Sequence, residues 1–289
     1  MKAKVMTSSL DSTLRMAGKL CTKDGLHSNV LMRVEGKRLH VLAGNFEEQL
    51  EVGIDAEEGA TEGAVAVERR RIARIASECQ SPAIDLESTD DGLHLRTKSS
   101  EWHLPDATFW LSETDKDGKA TQVEVPVTEV WPESWGPLPE IVTSDEIATA
   151  IHTVAPFAGK NSRYALACVM LVSEGGRLTI FATDGKAAAR TTHAGQLPHP
   201  IRADARLIVK FLPRSGSVTL LANDRILGVQ FENCLHLFCQ TEGRVPRIAD
   251  AFDPAIGETV QVDRERLSEA IRQSVAGSVK PADALSVDV

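Results

Sequence analysis

Apolar runs on either side of a short polar break recur along residues 30–43, VLMRVEGKRLHVLA, and again along residues 169–182, VMLVSEGGRLTIFA; the two stretches overlay without a gap. Each reads as strand, tight Glu-Gly turn, strand. Val30 matches Val169, Glu35 matches Glu174, Gly36 matches Gly175, Arg38 matches Arg177, Leu39 matches Leu178 and Ala43 matches Ala182. A glycine turn between two strands is generic on its own, so the flanks decide whether this is a repeat. About 20 residues before each hairpin lies a helical period, with Leu10, Leu14, Ala17 and Cys21 in the first copy and Ile147, Ile151 and Val154 in the second. Thr143 and Glu146 are spaced as a capping box for the latter, with Pro156 as its stop. A second helical period follows each hairpin: Ile72, Ile75, Ala76 and Cys79 in one copy, and Leu207, Ile208, Phe211 and Leu212, in a helix near 202–212, in the other. Both copies then return to alternation, over AIDLESTDDGLHLRTKSSEWHLP and SVTLLANDRILGVQFENCLHLFCQ.

The unit is therefore helix, strands, helix, strands, and the fold class is α+β, with each copy a sheet carrying two helices on one face. The copies span residues 1–112 and 141–256. Between them, residues 113–140 form an acidic, proline-bearing linker or insertion with Trp131 and Trp135 and one strand expected around Val123 to Val127. Residues 257–289 read as the start of a third copy: Leu267, Ile271 and Val275 repeat the helical spacing, and ALSVDV falls where a first hairpin strand would begin. A helix and one strand cannot bury their apolar faces alone, each exposed Leu, Ile or Val forgoing about 1.5–3 kcal/mol. This piece is thus read either as a third domain cut short or as a segment that docks on something else.

The chain of 289 residues is long enough for two cores, and 42% hydrophobic with 25% charged residues is a globular composition. No apolar run approaches the roughly 20 residues of a membrane span. MKAKVMTSSLDSTL lacks the apolar core and cleavage site of a secretory signal, so a cytoplasmic location is expected. Five scattered cysteines, an odd number, give no disulfide framework. Cys234 and Cys239, five apart in a strand-like stretch, should face opposite ways.

The formal net charge of -9 argues against indiscriminate nucleic-acid binding, which makes the placement of the basic residues the informative quantity. Arg202, Arg206 and Lys210 are spaced i, i+4, i+8 and would stay within roughly 80° of arc on a helix, opposite its apolar stripe. Arg70, Arg71 and Arg74 do the same in the first copy's second helix, Arg15 and Lys19 in its first, and Arg264 and Arg272 in the third. The helix at 144–155 offers only His152, with Lys160 and Arg163 just beyond. Helices lining one concave surface would give an acidic protein a positive track for phosphates. With no aromatic residues interleaved, a duplex backbone fits better than stacked single strands.

Catalytic motifs fail on inspection. A phosphate loop ending at Gly185-Lys186 would need glycine where Ile180 stands and Ser or Thr where Ala187 stands. In DKDGKA, residues 115–120, Gly118 is two positions early for a calcium loop and Pro126 occupies the place of its bidentate Glu. The eight histidines are dispersed, and no nucleophile elbow occurs. No catalytic residue, metal or cofactor is expected.

Taken together, the repeated units, the basic helix faces and GRLTIFATDG, residues 176–185, resemble the bacterial DNA polymerase III beta subunit, the ring-shaped sliding clamp. TEGRVPRIADAF, residues 241–252, is similar to that family's acid-Gly-Arg-Phe-Pro stretch, and MKAKVMTSSLDSTL and SSEWHLPDATFW also fit. The likeness runs over nearly the whole chain and is strongest from 160 to 255. It implies repeated clamp domains whose helices face duplex DNA, no cofactor, and self-association into a ring. Partners would be double-stranded DNA, DNA polymerase III subunits and the clamp loader, with short peptide motifs docking in a pocket. Carried over, that pocket includes Thr183, Gly185, Lys186, Ala187, Ala188 and Arg202. Lys186, Ala187 and Ala188 stand where the family has His-Arg-Leu, Ile201 and Arg202 where it has Val-Pro, and Gly44, Asn45, Phe46 and Glu47 where it has Thr-Asp-Leu-Glu. The alternatives are a divergent clamp paralogue serving as a non-ring DNA-binding or protein-interaction module, and a two-domain clamp closing as a trimer, against which the third-copy remnant argues.

Overall fold

The computed structural model describes residues 1–23, 26–45, 47–114, 120–130, 138–160, 164–244, 252 and 263–277. Phe46, the 115–119 part of DKDGKA, Trp131, Trp135, Arg163, residues 245–251 and the ALSVDV end lie outside them. The chain divides into two units, Met1–Pro246 and Arg247–Val289.

The first copy runs β1 (Lys2–Met6), α1 (Thr7–Ala17), β2 (Asn29–Glu35), β3 (Arg38–Gly44), β4 (Glu48–Asp55), β5 (Gly63–Glu68), α2 (Arg69–Glu78), β6 (Ala83–Thr89), β7 (Gly92–Arg96) and β8 (Glu101–Pro105). A connector follows, with β9 (Thr108–Thr114), β10 (Ala120–Pro126) and the single helical turn α3 (Val127–Val130). The second copy runs β11 (Glu140–Ser144), α4 (Ile147–Val154), β12 (Cys168–Glu174), β13 (Arg177–Thr183), β14 (Ala188–His193), β15 (Ile201–Asp204), α5 (Ala205–Val209), β16 (Val218–Ala222), β17 (Ile226–Phe231) and β18 (Cys234–Cys239). Element for element, the two copies agree. The hairpins also close in the same register, Glu35 opposite Arg38 and Glu174 opposite Arg177, with Gly36 at φ 58° and Gly175 at φ 56° in the turns.

Each copy holds two four-stranded sheets rather than the single sheet expected. They are ordered β1-β6-β7-β8 and β4-β3-β2-β5 in the first, and β11-β16-β17-β18 and β14-β13-β12-β15 in the second. The reason is that the inner apolar face of each sheet must be covered, and one pair of helices serves both sheets of a copy. Leu10, Leu14 and Ala17 of α1 and Ile72 and Ala76 of α2 are buried in a core with Val5, Ile84, Leu86 and Leu95 of one sheet and Met32, Val41 and Leu50 of the other. In the second copy Ile147, Ile151, Val154 and Ile208 take those places, among Leu178, Ile180, Leu220 and Val229.

The copies are fused by one ladder. Strand β18 pairs antiparallel with β4, Cys234 opposite Val52 through Phe238 opposite Glu48, making one continuous eight-stranded sheet from β11 to β5. Beside that ladder the Glu48 side chain, 6% exposed, accepts hydrogen bonds from Lys210 Nζ at 2.8 and 3.0 Å and from His236 Nε2 at 3.1 Å. Phe211, from the second copy, is buried in the first copy's core and meets the His236 ring edge-on, 4.7 Å between centroids.

Several sequence expectations need correction. The strand expected around Val123 to Val127 is β10, but it is not alone in the connector: β9 pairs with it, Ala120 opposite Thr114 through Pro126 opposite Thr108. Val127 is buried against Leu31, Leu42 and Ala66, the residues of β2, β3 and β5 that alternation turns away from the helices. Thr143 does not cap α4. It lies in β11, donating to Glu140 Oε1 at 2.6 Å, and Glu146 takes the N-cap position with its carboxylate turned to His193 Nδ1 at 2.8 Å rather than to the helix N–H groups. The second helix of the second copy is five residues long rather than spanning 202–212, because Asp204 caps it by accepting from Arg206 N–H and Phe211 is drawn into the other core. Cys234 is buried and Cys239 exposed, as their spacing requires. Among the described residues no helix is long and apolar enough to cross a membrane. In the second unit, α6 (Arg264–Gly277) is capped by Asp263, whose Oδ1 accepts from the N–H groups of Glu265 and Arg266.

Phe211→Ala removes a large side chain from the first copy's core and is expected to cost about 3–5 kcal/mol, read as a lower urea midpoint. Burial alone would push the Glu48 carboxyl up, but the bonds from His236 and Lys210 outweigh it and hold the carboxyl below its usual value. Burial pushes the His236 imidazole down, only partly offset by Glu48. Both groups therefore bind protons less readily folded than unfolded, so unfolding takes up protons and stability rises with pH. The His236 contribution is complete above its unfolded value of 6.5 and is lost as pH falls through the lower folded value; that of Glu48 follows below 4.5. The melting temperature should drop between about pH 7.5 and 5.5 and drop less in His236→Gln; equal drops would show that another group titrates.

Candidate nucleic-acid interface

Helices α1 and α2 pack on each other and present to solvent what their apolar stripes leave over. On α2, burial of Ile72 and Ala76 turns Arg70, Arg71 and Arg74 outward. Arg74, 79% exposed, meets Glu78 at 3.0 Å, and Arg71 meets Glu68 at 2.7 Å. Arg15 on α1 meets Asp11 at 2.9 Å. Exposed pairs of this kind contribute about 0–1 kcal/mol, so each guanidinium can exchange its carboxylate for a phosphate at small cost. Lys19, just beyond α1, is exposed with its ammonium 5.3 Å from the centre of the Phe211 ring.

The ridge expected of Arg202, Arg206 and Lys210 does not form, because the three do not share a helix. Arg202 belongs to β15, where its Nε donates to the Thr241 carbonyl at 2.9 Å. Lys210 follows the end of α5 and turns to Glu48. Only Arg206 projects outward; it is 81% exposed and paired with Asp204 at 3.0 Å. It borders a groove of about 620 Å³ with an apolar floor of Ala155, Ala158, Ala205 and Val209. Lys160 and Arg214, both exposed, supply the rest of its basic rim. His152 also reaches this groove, but its Nε2 is held by the carbonyls of Leu212 and Pro213 at 3.2 and 3.1 Å, tying α4 to the segment after α5. Arg214 was not singled out from the sequence. Its signal was its position directly after Pro213, where a helix must have ended.

The turn after GRLTIFATD is a corner. Asp184 Oδ1 accepts from the backbone N–H groups of Lys186 and Ala187, both at 2.8 Å; Thr183 Oγ1 accepts from Gly185 N–H and donates to the Ala187 carbonyl. Those two N–H bonds hold the Asp184 carboxyl below its usual value. They also consume the amides that a phosphate loop would offer its ligand. Gly185, at φ 88°, occupies the left-handed region that favours glycine. The first copy repeats the device: Asn45 Oδ1 accepts from Glu47 and Glu48 N–H at 2.8 and 2.9 Å. Thr183, Gly185, Lys186, Ala187 and Ala188 are thus gathered on one β13–β14 turn. Arg202 is not among them, standing on β15 beyond β12 in the sheet order. In the second unit, Arg264 and Arg272 are exposed along α6 and line a shallow hollow with Glu265, Ser268 and Glu269.

Among known structures, sliding clamps share this fold. A Pseudomonas aeruginosa sliding clamp (DNA polymerase III subunit beta) bound to griselimycin is 18% identical, with a TM-score of 0.75 over 96% of this chain and 74% of its own. A second P. aeruginosa sliding-clamp structure is 19% identical, with a TM-score of 0.76 over the same shares. The Helicobacter pylori beta clamp bound to a DNA ligase peptide is 18% identical, with a TM-score of 0.76 over 96% of this chain and 77% of its own. The fold is that of a sliding clamp. No protein-family model matches the chain, and no curated protein sequence does. The likeness covers 96% of this chain, at an identity too low to transfer individual side chains.

Proposed function

We propose that this chain is a non-catalytic sliding-clamp subunit that encircles duplex DNA, assembles into a ring, and holds DNA polymerase III on its template during replication. The observation that carries the reading is that both copies of the clamp-fold unit bear exposed basic residues on or beside equivalent helices. Arg15, Lys19, Arg70, Arg71 and Arg74 stand in the first copy, and Lys160, Arg206 and Arg214 in the second. Against a net charge of -9, such local concentrations attract phosphates while the rest of the surface repels nonspecific contact. Arg264 and Arg272 on α6 would extend the same chemistry. Lys210 and Arg202 are left out of the proposed interface because the fold already uses both.

The H. pylori clamp binds a DNA ligase peptide, and the corresponding partners here would be short peptide motifs of polymerase and clamp-loader subunits. The β13–β14 turn, with Thr183, Gly185, Lys186, Ala187 and Ala188, is the wall proposed to meet them. Its small side chains favour a partner that brings its own bulk.

Replacing Arg70, Arg74 and Arg206 by Ala should shallow the dependence of log affinity on log salt by up to about 0.9 for each phosphate that is no longer neutralised. Lys210→Ala should leave that slope unchanged while lowering thermal stability. An unchanged slope in the triple variant would remove these helices from the DNA-facing surface. On DNA of equal length, the protein should be retained on circular duplex and released from the ends of linear duplex; equal retention would leave a surface binder, the non-ring reading.

A further inference from the structure

We infer that Asp91, His94 and His103 form a binding site for a transition-metal dication of the Zn²⁺ type on the β1-β6-β7-β8 sheet. His94 and His103 are directly opposed across β7 and β8, so the pleat puts both side chains on one face. Their ring centroids are 4.6 Å apart. Asp91 sits in the turn between β6 and β7, and β8 crosses close over that turn. Gly92, at φ 137°, lies so near it that an added Cβ would stand 2.2 Å from the Leu104 carbonyl oxygen. This crossing brings His103 Nε2 to 3.4 Å from Asp91 Oδ2 and 3.2 Å from its backbone carbonyl, while His94 Nε2 lies 3.4 Å from Oδ1.

One donor atom from each residue can be chosen so that all three lie within 4.8 Å of one another. Tetrahedral zinc with bonds of about 2.0–2.1 Å has donors separated by about 3.3 Å, a spacing that small side-chain rotations reach from here. Two imidazoles and one carboxylate match zinc, copper or nickel rather than the oxygen-only preference of calcium and magnesium. Outer partners are close by as well. Glu101 Oε1 lies 3.9 Å from His94 Nδ1, and Arg96 Nε fixes Glu101 at 2.7 Å. A modest closing of that gap would let the carboxylate accept from Nδ1–H, favouring the tautomer whose Nε2 lone pair faces the metal. Thr89 Oγ1 donates to Asp91 Oδ1 and orients the carboxylate. Asp91 and His103 are exposed, so an ion can enter from water and keep a fourth position open. No linear motif announces the site: the spacing 91, 94, 103 becomes a triad only through hairpin register.

The test is titration of the chelator-treated full chain with Zn²⁺ by calorimetry and with Co²⁺ by visible absorption. One equivalent should bind in the micromolar range, with Co²⁺ giving the intense bands of a tetrahedral site. His94→Gln and His103→Gln should each weaken binding by at least about tenfold, and Glu101→Gln by about tenfold through the outer sphere. Circular dichroism should show the metal-free variants folded, as expected for partly exposed positions; Asp91→Asn provides an independent ligand variant. Absence of stoichiometric micromolar binding, or an unchanged affinity and Co²⁺ spectrum in the His94→Gln, His103→Gln double variant, would overturn the site.

Discussion

The pairing of β4 with β18 is the constraint on which the rest depends. Without it the chain would be two similar domains on a tether; with it they share one eight-stranded sheet. Backbone pairing alone does not specify that junction, since many strand edges could meet. The specificity comes from Glu48. A carboxylate that is 6% exposed requires donors, and Lys210 and His236 of the other copy supply them. A one-residue slip would turn Glu48 to the other face of the sheet and leave Lys210 and His236 without it. Phe211, buried among first-copy residues, adds an apolar counterpart to the same lock.

This lock also explains why the basic residues divide as they do. Lys210 and Arg202 look equivalent to Arg206 in sequence, yet Lys210 is drawn to the junction and Arg202 to the Thr241 carbonyl, while Arg206 projects into solvent. Helix α5 ends early because Phe211 must leave it to reach the neighbouring core. The charge pattern that suggested one ridge in fact serves two purposes: holding the copies together and presenting cations along the helices.

Much of the fold was legible because its signals are local. The hairpins at 30–43 and 169–182 carry apolar runs broken by turn glycines, and both formed with the same register. The stripe of Leu10, Leu14 and Ala17, and that of Ile147, Ile151 and Val154, became buried helix faces. Thr143 misled because its spacing to Glu146 satisfies a capping rule while a strand partner, Thr219, claims it first. The packing of the connector was illegible for a different reason. Val127 is one of several valines there, and only the outward faces of Leu31, Leu42 and Ala66 reveal what it covers.

By itself, the sequence determined that two copies of one α+β unit exist, where their hairpins turn, which helix faces are apolar, and that no phosphate loop is present. These follow from periodicity and turn chemistry, which act over a few residues. Tertiary structure alone decided that each copy has two sheets, that the copies fuse through β4 and β18, which of the cations stay exposed, and that His94 and His103 meet Asp91. Each of those depends on which strand lies beside which, and strand order is set by long-range burial and pairing that no local pattern encodes.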